Sequence, residues 1–248
     1  MANKITCLCE QNKNTVTENL PHSFRDNGLI LLSFQIKRGQ FLPARPNRSN
    51  RDLMLSAVIA TRDSERTLVP TLACLVPGAT AGMLRDVIVA DAGSSDGTAA
   101  IADIAGCRLM VAPGPLGARL KAAADSARGP WLLFLRAGTV LENSWVAEAV
   151  RFIADTEGSP DARAAIFRPA SPGGGMRPTL ADVWGLLGSA FGRRIGSDQG
   201  LLIAKTFYRQ LDGHRDGDDP ETDLLRRLGS RRTIVLRCLA LPVRPAIA

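Results

Sequence analysis

The first feature of this chain able to do chemistry is an apolar run that ends in an acid and breaks into a turn. It reads Val87-Ile88-Val89-Ala90-Asp91-Ala92-Gly93-Ser94-Ser95-Asp96-Gly97-Thr98. A strand that delivers a carboxylate to a sheet edge offers acceptors to the base or ribose of a nucleotide. The glycines permit a tight turn, and Ser94, Ser95 or Asp96 can cap a following helix. An ordinary turn without a ligand has the same composition, because Asp and Gly dominate turns. A second polar loop, Thr61-Arg62-Asp63-Ser64, closes an earlier apolar run. It lacks Gly-x-Gly-x-x-Gly, which argues against a dinucleotide enzyme. No Gly-x-x-x-x-Gly-Lys-Ser/Thr occurs anywhere in the chain, so a P-loop NTPase is excluded. His214 sits in a polar loop and is expected to be solvated.

The elements that must carry these loops alternate. Apolar runs predict strands at Leu55–Thr61, Asp86–Ala90, Arg108–Val111 and Trp131–Leu135. Helical spacing predicts helices at Ser64–Leu75, Asp96–Ile104, Leu116–Ala127 and Ser144–Asp155. Near-continuous apolar strands separated by helices mean a parallel sheet covered on both faces, an α/β doubly wound layer. Such sheets bind ligands beyond the carboxyl ends of their strands, here the loops after Ala60, Ala90, Val111 and Leu135.

Residues 54–248 are expected to be the folded domain. Before Met54 lie seven asparagines and two alanines, whereas Asn143 is the one asparagine after it. Residues 1–53 therefore read as a disordered tail, or as a stretch translated from a mis-assigned start. No apolar run approaches the roughly 18 residues of a membrane span, and no signal peptide is evident. Five cysteines, an odd number, suit a reducing cytoplasm. The net charge of +7 comes without any block of five or more like charges, and aromatics are only 5%. A phosphorylated substrate or an anionic membrane surface is favoured over nucleic acid as a partner.

The stretch Ser56-Ala57-Val58-Ile59-Ala60-Thr61-Arg62-Asp63, followed by Asp91-Ala92-Gly93-Ser94-Ser95-Asp96-Gly97-Thr98, resembles the start of family 2 glycosyltransferases. The likeness continues through Ala127–Leu135, Ser197-Asp198-Gln199-Gly200-Leu201-Leu202-Ile203 and Asp223–Leu228. In order and spacing it covers nearly all of residues 55–240, and it is nearest to a compact bacterial subgroup with a Gly-Asp-Gln-Gly segment. The resemblance implies a GT-A-like, mostly parallel sheet. It also implies transfer of a sugar, with inversion, from a nucleoside diphosphate donor to a hydroxyl acceptor. Thr61, Asp63, Asp91 and Ser94 would belong to the nucleotide pocket. Ser197–Gly200, with Asp198, and the stretch around Glu221 would face the acceptor.

The chain departs from the family after the fourth strand. Relatives carry Asp-x-Asp there to hold Mg²⁺ or Mn²⁺ against the diphosphate, and this chain reads Leu135-Arg136-Ala137-Gly138-Thr139. No metal cofactor is expected. Arg136, together with Arg119 and Lys121 where relatives tend to have Gln and Asn, is read as contacting the diphosphate directly. The general base would be Glu221, with Asp219 and Asp223 as substitutes, although acids at a helix N-terminus also serve its dipole. An apolar face across 178–194 ending in Arg193-Arg194 suits a core helix, and it also suits peripheral contact with the inner membrane face and a lipid-linked or polysaccharide acceptor. A catalytically inactive nucleotide-binding or regulatory module is the competing reading.

Overall fold

In the computed structural model β1 is Leu55–Thr61, and all seven of its residues are buried. The structure describes residues 54–157, 161–170 and 199–243, all within one unit, Asn47–Ala248. The expectations for residues 1–53, for Asp198 and for the helix across 178–194 lie outside the described residues.

A fully apolar strand needs neighbours on both edges and cover on both faces. On one edge β1 pairs in parallel with β2 (Leu84–Asp91), and on the other with β4 (Trp131–Arg136). The register sets Thr61 opposite Asp91 and Ala60 opposite Arg136. Outside β2 lies β3 (Arg108–Val111), with Val111 opposite Asp91. Every loop expected to carry chemistry thus leaves the same edge.

Beyond β4 come β7 (Leu201–Ala204), β6 (Ala164–Pro169), β8 (Thr233–Pro242) and β5 (Thr139–Leu141). β7 runs against β4 and β6, and β5 against β8, so six of the eight strands point one way. Because β7 is reversed, the chain enters it at the edge where the parallel strands end, with Leu201 opposite Phe134. The free edge of β8 is blunted: Glu148 accepts the N–H of Arg237 (3.2 Å) and Glu142 that of Leu239 (3.1 Å). Backbone donors so occupied cannot template another strand.

The helices are α1 (Glu65–Thr80), α2 (Thr98–Ile104), α3 (Leu116–Ser126), α4 (Trp145–Glu157), α5 (Lys205–Gln210) and α6 (Pro220–Leu228). Strand alternation splits the core in two. Leu55, Ala57 and Ile59 pack with α1 and α4 on one face, while Val58 and Ala60 pack with α3, α5 and α6 on the other. The expected helix over Ser64–Leu75 runs on to Thr80 through Pro70 and Pro77. Tertiary packing overrides the break that proline favours: Trp145 buries its ring on this turn and its Nε1 donates to Cys74 O (2.8 Å).

Candidate functional site

The first two loops at this edge are stitched into one rim. Ala92 N donates to Thr61 O (3.0 Å). Asp63, held at φ 44°, donates its N–H to Ser94 Oγ (2.9 Å) and accepts from Ser95 N (2.9 Å). Ser64 N donates to Thr98 Oγ1 (2.8 Å). Glu65 N donates to Asp96 Oδ2 (2.9 Å), and the Glu65 carboxylate accepts from Gly97 N (3.0 Å). Asp96 also accepts from Thr98 N (3.0 Å), so one carboxylate satisfies orphan donors at the starts of both α1 and α2.

Asp91 is the keystone of this rim and is only 2% exposed. Its Oδ1 accepts from Thr61 Oγ1 (2.8 Å) and from Ser94 Oγ, and its Oδ2 accepts from Gly93 N (2.9 Å) and Ser94 N (2.7 Å). Gly93, at φ 91°, supplies the left-handed turn that aims these amides back at the carboxylate. Burial opposes the charge, but the bonds from Ser94, Thr61 and Gly93 outweigh it and hold the Asp91 carboxyl below its ordinary range. Four donors match the acceptor capacity of a carboxylate, so in this state Asp91 builds the loop.

Of the three cations singled out in the sequence, Arg119 is the buried one, 7% exposed on α3. Its Nη1 donates to Gly114 O (3.3 Å), and its Nε has no partner. Burial, and then the positive charge of Arg62, weakens its hold on its proton, while Asp91 opposes both. Arg62, in the first loop, is therefore an electrostatic neighbour that residue spacing did not single out. The start of α3 is fixed from outside: Asp216 Oδ1 accepts from Ala118 N (2.7 Å). A Cβ on Gly117 would stand 2.3 Å from Arg215 O, so no larger residue lets that loop approach. Lys121 pairs with exposed Asp212 (2.8 Å).

Arg136 and Glu221, assigned separate tasks in the sequence, meet. Arg136 Nε donates to Glu221 Oε2 (2.7 Å), and Nη2 reaches the same oxygen. Glu221 stands in the first turn of α6, whose N-cap Asp219 accepts from Thr222 N (3.1 Å). Asp219 is held below the ordinary carboxyl range by Thr222 first, against the cost of burial, with Arg136 adding to the effect. Asp223 is occupied by Arg227 Nε (2.9 Å). Gln199, the described residue next to Asp198, is buried.

The family model for glycosyl transferase family 2 matches residues 56–170. This segment belongs to that family. It contains both rim loops, Arg119 and Arg136, whereas Glu221 lies beyond it. No curated protein sequence matches the chain. Solved structures show the same fold. TarS 1–349 of S. aureus, in complex with UDP-GlcNAc, superposes with a TM-score of 0.57 at 16% identity, over 77% of this chain and 59% of that one. Glucosyl-3-phosphoglycerate synthase from Mycobacterium tuberculosis, in complex with Mn²⁺, UDP and glucosyl-3-phosphoglycerate, gives 0.56 at 18% identity over 81% and 74%. The chain thus spans little more than half of the TarS fragment and about three quarters of the synthase.

For a family 2 transferase, the end of β4 is where a divalent cation would be held. Here Arg136, Ala137 and Gly138 supply no carboxylate, and the guanidinium of Arg136 is anchored there by Glu221. Among the described residues no group of three or more His, Cys, Asp or Glu could hold a metal ion. This donor set does not fit Mg²⁺ or Mn²⁺, because a cation at this point would face another cation. No described helix is long and apolar enough to cross a membrane.

His214 is not the solvated loop histidine the sequence suggests. It is 2% exposed and stands edge-on to Phe134, with ring centroids 4.8 Å apart. Its backbone N donates to Tyr208 Oη (3.0 Å), and that hydroxyl lies 2.8 Å from Nδ1. A hydroxyl that accepts one bond and donates the other keeps the ring neutral. Burial, and then Arg227, push its pKa down to about 3. An unfolded histidine binds a proton below about 6.5, so the unfolded state takes up the extra proton between those values and stability falls as pH falls. The expected loss between pH 7 and pH 5 is about 2 kcal/mol, read from urea midpoints. His214→Phe should flatten that limb.

Proposed function

We propose that this chain transfers a glycosyl group from a nucleoside diphosphate sugar to a hydroxyl acceptor, with inversion and without a metal held in the family's usual way. The observation that carries the reading is the joined rim of Thr61–Ser64 and Asp91–Thr98, with the under-bonded, buried Arg119 guanidinium beside it. An edge of backbone amides and hydroxyls over a desolvated cation suits a nucleotide and its phosphates. Thr61, Asp63 and Ser94 would meet the nucleoside, and Asp91 would shape the loop they stand on. Arg119, with Arg62 as its neighbour, would meet the diphosphate, with Lys121 farther out on the same helix.

In the reaction Glu221 would take the proton of the acceptor hydroxyl. The freed oxygen would form a bond to the anomeric carbon. The bond from that carbon to the diphosphate oxygen would break, and its electron pair would leave with the nucleoside diphosphate. Asp198 is the second candidate for acceptor contact. The reading also covers a lipid-linked or polysaccharide acceptor met at the inner face of the membrane, for which the spacing of apolar residues through 178–194 is the motive.

Titration of the purified protein with UDP- and GDP-sugars, with and without EDTA, tests the core of this reading. The expected result is binding of one donor with a Kd unchanged by the chelator. Binding that requires Mn²⁺, or none at all, would defeat it. The Arg136–Glu221 pair supports a second reading, a binding module whose carboxylate is permanently masked. Slow hydrolysis of a donor sugar by the wild-type chain, lost in Glu221→Gln, would rule that out.

A further inference from the structure

One exposed turn touches both halves of the site. Residues 215–218 lie between α5 and α6 and are exposed, yet each end of the turn is anchored. At one end the His214 ring is buried against Phe134 of β4, and its backbone N donates to Tyr208 Oη (3.0 Å). At the other end Asp219 caps α6, the helix that carries Glu221. Between them Asp216 reaches α3 and accepts the N–H of Ala118 (2.7 Å), a residue 98 positions earlier. Helix α3 has no cap of its own, because Pro115 stands at its N-cap and offers no side-chain acceptor. Its first-turn donors need partners from elsewhere, and among the described residues Asp216 is the side chain that supplies one. Contact there is close: a Cβ on Gly117 would stand 2.3 Å from Arg215 O. Next along α3 comes Arg119, whose buried guanidinium reaches back to Gly114 O (3.3 Å) and leaves its Nε without a partner.

We propose that Asp216 is a positioning residue that holds the first turn of α3, and with it the Arg119 guanidinium, in place for the donor's diphosphate. This rests on the glycosyltransferase reading above. The cap and the guanidinium share one helical turn. A turn that frays takes the Arg119–Gly114 contact with it and leaves a long side chain to be ordered by the ligand. Binding that must first order such a chain is weaker than binding to one already set. Asp216 does not touch the nucleotide in this scheme. Its own negative charge disfavours a nearby anion, so its effect through position is opposite in sign to its effect through charge. Because the same turn runs into the cap of α6, it also ties the helix of the diphosphate cation to the helix of the candidate base.

Isothermal titration of the whole chain with UDP and GDP separates position from charge. Asp216→Ala is expected to weaken nucleotide binding about tenfold, a coupling of the usual size between linked positions. Asp216→Asn keeps an acceptor of nearly equal capping strength and should bind within about threefold of wild type. Gly117→Ala disturbs the same contact from the other side. Its methyl displaces Arg215, while alanine is the better helix former, and it too should weaken binding about tenfold. The double variant should bind about as weakly as either single one, because both lift one contact. Asp218→Ala, on the same exposed turn, should leave the Kd within about twofold. Tighter binding by Asp216→Ala would mean charge repulsion, and unchanged binding a cap that serves stability alone; either overturns the proposal. So does a double variant weakened about a hundredfold, which would mean two separate effects. A wild-type chain that binds none of UDP, GDP, CDP and ADP would overturn the nucleotide reading and this proposal together. Melting curves establish that each variant is folded, and Gly117→Ala serves if Asp216→Ala is not.

Discussion

Asp91→Ala is expected to lower stability by about 4 kcal/mol and to abolish nucleotide binding, whereas Asp91→Asn should cost about 1–2 kcal/mol and keep binding within a few-fold. The difference follows from the four donors around this side chain. Alanine leaves the Gly93 and Ser94 amides without acceptors in a site only 2% exposed. A buried donor left unmet costs about 1–3 kcal/mol. Asparagine can turn its oxygen to those two amides and its NH₂ to the hydroxyls of Thr61 and Ser94, which rotate to accept. What it loses is the charge assistance. Denaturant titrations of the three proteins read the first effect, and calorimetry with the preferred nucleotide reads the second. If Asp91→Asn loses binding as completely as alanine, the carboxylate contacts the nucleotide itself and the loop-building role assigned to it is wrong. The acid limb gives a further check. The carboxyl is held low in the folded state, so its contribution is complete above about pH 3.9 and fades as pH falls below that. Asp91→Ala should lack this part of the acid transition.

The parallel half of the sheet was legible because each strand is apolar throughout and each is followed by a loop of marked composition. Leu55–Thr61 and Arg108–Val111 fall where spacing puts them. The far half was not. Ala164–Pro169 is short and ends in two exposed residues, and β8 buries only Leu236, Cys238 and Ala240 while its exposed positions include the apolar Ile234, Val235 and Leu241, so its sequence does not alternate with its burial. The chemistry-bearing loops were legible by residue type, but their joining was not: Asp63 meets Ser95 and Glu65 meets Gly97 across more than 30 positions. Local sequence reports which side chains can bond, and only the β1–β2 register decides which ones do. The same limit hid the meeting of Arg136 with Glu221, 85 residues apart. For His214 the misleading signal was the Asp- and Gly-rich stretch around it. The turn at Asp212-Gly213 folds the ring under Phe134 and Tyr208, and no neighbouring residue type announces that. Arg62 had an ordinary exposed arginine's profile, and its importance comes from what lies near it.

Glu221→Gln is expected to lower the turnover of glycosyl transfer by about 10²- to 10⁴-fold, the usual worth of a positioned general base, while donor KM stays within a few-fold. The split between the two constants is the informative part. A group that merely helped bind substrate would raise KM and leave kcat in place, whereas the loss expected here is confined to the step in which the acceptor proton moves. The neighbouring acids give the control. Asp219 is engaged with the N–H and hydroxyl of Thr222 as the cap of α6, and Asp223 is engaged with Arg227 (2.9 Å). Asp219→Asn should therefore cost about 1 kcal/mol of stability or less, and Asp223→Asn less than 1 kcal/mol, each with turnover within a few-fold of wild type. Glu221 differs because Arg136, which donates to it, stands on β4 and not on α6, so replacing its carboxylate removes neither the cap nor the intrahelical pair of the helix that carries it. Should Asp219→Asn or Asp223→Asn abolish transfer while Glu221→Gln leaves it intact, the base has been misassigned, and the Arg136–Glu221 pair is then a structural tie between β4 and α6.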